Sequence, residues 1–212
     1  MLKDLGKAQP LQIAAWVLSL IVSGLAIFVW GHDNGWQIWH FNAYQFFPVL
    51  GLLAWSLMWT HYVMGTLREL MGLPKEVLVR WFNYTGWVVL VAICLHPGLL
   101  IYQRFQDGFG LPPHSYESFV APGLGWITLL GSASLLVFLA FEFHRFYADR
   151  SWWHYVNDLC DLAMVAIFYH ALRLGSQLMV DTWFKAVWWF YGLSLLAVLA
   201  RKYYLKLRPK TT

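Results

Sequence analysis

Two of the eight histidines lie deep inside apolar runs, His96 at the end of Val88 to His96 and His170 at the end of Leu162 to His170. A neutral imidazole presented by each of two facing helices is what a bis-histidine haem needs, because haem iron accepts axial nitrogen from both sides. Two unrelated interhelical hydrogen bonds would use the same residues. His96 follows Asn83 by 13 residues and His170 follows Asn157 by 13. At a rise of ~1.5 Å per residue, both therefore sit about 20 Å along their helices and share one depth. Arg173, one turn beyond His170, is placed to pair with haem propionates or to anchor the helix at the interface. Pro97 removes the backbone hydrogen bond to Ile93, so the helix is expected to bend beside His96.

A second group of ionisable residues falls at the other end of the apolar segments. His61 stands near the end of one run, while Asp158 and Asp161 open another. Such groups at membrane depth are costly unless paired or hydrated, so they form a candidate quinol, flavin or proton site, or else a structural polar cluster. His32, His40 and His114 fall in connections, and His144 and His154 at helix ends, where polar interfacial roles are expected. Cys94 and Cys160 have no CxxC neighbour and read as small apolar residues.

These residues must be carried by membrane helices. Of the 212 residues, 59% are hydrophobic and only 12% charged, against roughly a quarter charged in soluble domains. Charge-free stretches of 25, 34, 23 and 24 residues follow Lys7, Asp33, Arg80 and Glu117. The expected fold is an all-α, polytopic bundle forming one transmembrane domain, with six spans near 11–30, 46–65, 83–103, 123–143, 153–176 and 183–200. With the N-terminus inside, 12 of the 15 Lys and Arg residues fall in inner segments, which places both termini in the cytoplasm. The net charge of +4 thus reads as orientation in a lipid bilayer, and no nucleic-acid partner is expected. No connection between spans is long enough for a flavin, nicotinamide or ATP domain. Any redox chemistry is then supplied by a bound cofactor or a partner.

Asn83-Tyr-Thr-Gly86 with His96-Pro97, and Trp152-Trp-His-Tyr-Val-Asn157 with His170-Ala171, resemble the ferric reductase-like transmembrane domain superfamily over roughly residues 46 to 200. That superfamily includes ferric reductases, NADPH oxidases and the haem membrane subunit of the bacterial methionine sulfoxide reductase system. Its members carry two histidines about 13 residues apart on each of two helices and hold two stacked b-type haems. Here Asn83 and Asn157 replace the inner pair, so the resemblance implies a single haem b, with His96 and His170 as its iron ligands. It further implies electron transfer from a cytoplasmic or membrane donor, a flavin or quinol, to an outer-side or periplasmic redox acceptor. The bacterial member implies a location in the inner (plasma) membrane. The competing expectation is a haem-free scaffold or binding subunit that keeps the same fold.

Overall fold

The computed structural model describes residues 2–37 and 42–208, so His40 lies outside the described residues. Those residues form helices joined by turns, without a strand among them. The helices are α1 (Leu2–Asp33), α2 (Ala43–Leu70), α3 (Glu76–Gln106), α4 (His114–Glu117), α5 (Gly125–Phe141), α6 (His144–Tyr147), α7 (Trp153–Leu174), α8 (Ser176–Val180) and α9 (Thr182–Leu207). In α1, α2, α3 and α9 the helix outruns the expected span, because a helix satisfies its own backbone and continues into the charged turns at either end.

Four helices among the described residues are long and apolar enough to cross a membrane: Gly6–Asp33 within α1, then α2, α3 and α9. The other two expected spans form as helices but differ from that standard. The fourth is cut to the 17 residues of α5, with a turn at Glu142 and Phe143 before α6. The fifth, α7, has 22 residues and carries Asp158, Asp161 and Arg173. At ~1.5 Å per residue α5 spans about 26 Å, slightly less than a hydrocarbon core of about 30 Å.

Large apolar side chains cover the outside, with Leu20 71% and Leu136 67% exposed, while Ser19, Thr60, Thr85 and Asp161 are buried. That inverted distribution suits lipid, which offers helices no hydrophobic reason to associate and leaves packing and polar bonds to hold them. Indole donors supply several of these bonds. Trp55 donates to the Met164 carbonyl at 3.1 Å, Trp59 to Ser194 Oγ at 2.9 Å and Trp81 to Ser19 Oγ at 3.0 Å. Helix α2 is the hub, packing against α1, α3, α7 and α9, while α5 packs against α7. Its Trp55 packs at a tilt against Trp188 of α9, ring centroids 4.5 Å apart, and its Trp59 stacks on Tyr191 at 4.3 Å. These aromatic rings fill the centre of the bundle.

Candidate functional site

His96 and His170 are held in the same way by two different helix pairs. Nδ1 of His96 on α3 donates to the Phe47 carbonyl of α2 at 2.7 Å. Nδ1 of His170 on α7 donates to the Ile127 carbonyl of α5 at 2.8 Å. A carbonyl oxygen only accepts, so Nδ1 carries the proton in both rings, and a neutral imidazole then has its lone pair on Nε2. No described residue bonds to either Nε2. A backbone carbonyl fixing one ring nitrogen so that the other can ligate is the usual support of a metal-bound histidine.

Both histidines line one cavity of about 480 Å³ bordered by α2, α3, α5, α7 and the connections that follow α3 and α7. That volume lies within the ~300–1,000 Å³ of ordinary ligand pockets. Its walls are mainly apolar, including Leu52, Trp55, Met58, Ile93 and Phe138. Pro97 lines it beside His96, and Ile93, whose carbonyl loses its helical donor to Pro97, does as well. Arg173 also borders the cavity, with an exposed side chain and no ion-pair partner among the described residues.

The connection between α3 and α5 closes the cavity from one side through Tyr116, Phe119 and Val120. Arg104, only 6% exposed, fastens this segment by donating to Ser118 Oγ at 2.5 Å and lying 3.4 Å from the centroid of the Phe109 ring. Two buried polar atoms on cavity-lining residues, Thr128 Oγ1 and Trp188 Nε1, have no partner among the described residues. Leaving such an atom unpaired costs ~1–3 kcal/mol. Two imidazoles with unbonded Nε2 atoms on one cavity, apolar walls, the volume and the bordering guanidinium are compatible with a bis-histidine macrocycle. Among the described residues no group of three or more His, Cys, Asp or Glu is arranged to hold a bare metal ion. A haem needs only two ligands from the protein.

The second group of candidates divides into two clusters. Asp161, 3% exposed, accepts from the hydroxyls of Tyr62 and Tyr203, each at 2.9 Å, and from Lys202 at 2.5 Å. Asp158 pairs with Lys206 at 2.7 Å and lies 3.2 Å from the Tyr203 hydroxyl. His61 is turned elsewhere, its Nε2 bonding Thr85 Oγ1 at 2.7 Å and its ring lying edge-on to Trp81 and Phe82. The two aspartates thus join α7 to α2 and α9, while His61 joins α2 to α3. Sequence reasoning missed Tyr62, Lys202, Tyr203 and Lys206. The matching signal was present, since Asp158 and Asp161 are three apart and Lys202 and Lys206 four apart, each pair on one helix face.

Asn83 is exposed on the outer face of α3, in a shallow surface depression with Glu76, Arg80 and Tyr84. Thirteen residues is about 3.6 turns, so positions 83 and 96 do not share a face of a regular helix. Asn157 is half-buried. His114 is exposed, His32 lies 3.6 Å from Asp181, and His144 and His154 bond carbonyls three residues back, at Phe141 and Ser151. No family model matches this chain, and no curated protein or solved structure matches it either.

Proposed function

We propose that the chain is a six-span membrane protein with both termini in the cytoplasm, holding one b-type haem between His96 and His170. It passes electrons from a cytoplasmic or membrane donor, a flavin or quinol, to an acceptor on the outer side. The observation that carries this reading is that two imidazoles on different helices are held as the Nδ1–H form with both rings bordering one apolar cavity. When bound, the haem would supply a one-electron iron couple between His96 and His170.

The residues of this chain would perform the rest. His96 and His170 offer Nε2 from opposite helices, and their carbonyl partners raise the basicity of each ring. Trp55, Met58 and Phe138 exclude water from the cavity, and Arg173 offers charge to propionates at its border. The engaged state of Asp158 and Asp161 gives them a bracing role and leaves the flavin or quinol to a partner at the inner surface. The two rings also bond helices together, which supports the second reading, a haem-free scaffold.

Replacing either ligand decides between them. His96→Ala and His170→Ala should each lose haem while remaining folded, and His114→Ala should keep it. Full haem content in both ligand variants would end the assignment.

A further inference from the structure

The two histidines share a feature beyond their carbonyl bonds. Gly51 lies four residues after Phe47 on α2, and Gly131 lies four residues after Ile127 on α5. Each imidazole rests against the bare backbone of one of these glycines. A Cβ at position 51 would stand 2.8 Å from Cε1 and 2.9 Å from Nδ1 of His96. At position 131 it would stand 2.8 Å and 2.9 Å from the same two atoms of His170. Comfortable carbon contacts lie near ~3.5–4.0 Å, so neither ring could stay where it is.

The spacing of four has a physical cause. In an α-helix the carbonyl of residue j accepts from the N–H of j+4, and the Cα–Cβ bond at j+4 tilts back toward the helix N-terminus. A side chain there leans over the very carbonyl that the imidazole must reach from the neighbouring helix. Glycine leaves the second lone pair of that carbonyl open. Two helix pairs, α2 with α3 and α5 with α7, therefore repeat one device of carbonyl, glycine and imidazole.

We infer that Gly51 and Gly131 are positioning residues that set the tautomer and placement of His96 and His170. The inference rests on the haem reading for the ligand that benefits, but the imidazole geometry stands without it. Alanine is a better helix former than glycine, so these substitutions favour the helix itself and concentrate their effect on the ring. Gly98 provides a control on α3, since a Cβ there meets nothing within 4 Å.

The test uses the full chain in nanodiscs with ¹⁵N-labelled histidine, measured before and after addition of hemin. Gly51→Ala should abolish the Nδ1–H signature of His96 and leave that of His170, Gly131→Ala should do the reverse, and Gly98→Ala should change neither. Overpacking of this kind should weaken hemin retention on the order of tenfold in each of the first two variants. Unchanged histidine signals in both would overturn the inference, even with haem bound. A wild type that takes no hemin but shows the expected signal changes would uphold the positioning role while removing the haem reading. If Gly51→Ala lowers stability, Gly51→Ala combined with His96→Ala should be no less stable than His96→Ala alone, because the methyl then occupies vacated space. A penalty that persists without the imidazole would overturn the inference as well.

Discussion

Asp161 and Asp158 lie three residues apart on α7 and both meet lysines of α9, yet their removal should have unequal consequences. Asp161 is 3% exposed and serves Tyr62, Tyr203 and Lys202. In Asp161→Ala, Tyr203 can still bond Asp158, and Lys202, whose side chain is 41% exposed, can turn to water. The Tyr62 hydroxyl, on a partly buried side chain, has no other partner among the described residues, and a hydroxyl left unpaired away from water costs ~1–3 kcal/mol. The lost ion pair, discounted for the exposure of its lysine, adds at most ~1 kcal/mol. A destabilisation of ~1–4 kcal/mol is therefore expected from these two effects together. Asp158→Ala breaks only a pair whose side chains are 31% and 46% exposed, with Tyr203 retained by Asp161, and should cost below ~1 kcal/mol. Reversible unfolding of both variants in mixed micelles, followed by circular dichroism, measures the difference. Equal losses, or a larger loss for Asp158→Ala, would refute the bracing role assigned to the buried carboxylate.

Two further outcomes test the ends of the bundle. Asp107, exposed beyond α3, accepts from the Tyr44 hydroxyl and from Gln103 at 3.0 Å, and these bonds, that of Tyr44 first, hold its carboxyl below the usual carboxylate range. Because the folded value is the lower one, its stabilisation is present above the unfolded value, near pH 4, and fades as pH falls through the folded value. Asp107→Asn should flatten that acid limb in a pH series of thermal unfolding, and an unaltered limb would contradict it. For topology, a reporter fused after Thr212 should be cytoplasmic and one inserted near Gly110 should be exported. The opposite result for either would defeat the six-span arrangement.

The helices were legible because hydropathy and charge act locally along the chain. The expected fourth span runs two residues too far, to Phe143, although the charge-free stretch stops at Phe141, where α5 ends and the backbone turns. The importance of His96 and His170 was legible from a polar ring in an apolar run. Their partners were not, since a backbone carbonyl leaves no trace in the sequence and Gly51 and Gly131 look like any helix glycine. Asp161 stood out for its burial cost, but its donors lie on α2 and α9, far away in sequence. Asn83 is exposed and lies apart from the cavity that His96 lines, in keeping with the 13-residue spacing, which does not bring the two positions onto one face of a regular helix.

The central claim is tested most directly by the visible spectrum of the purified protein, oxidised and then dithionite-reduced, with haem and protein quantified in the same sample. One haem per chain with a sharp reduced b-type band is predicted. A featureless spectrum from well-folded protein supplied with haem during expression would contradict the account.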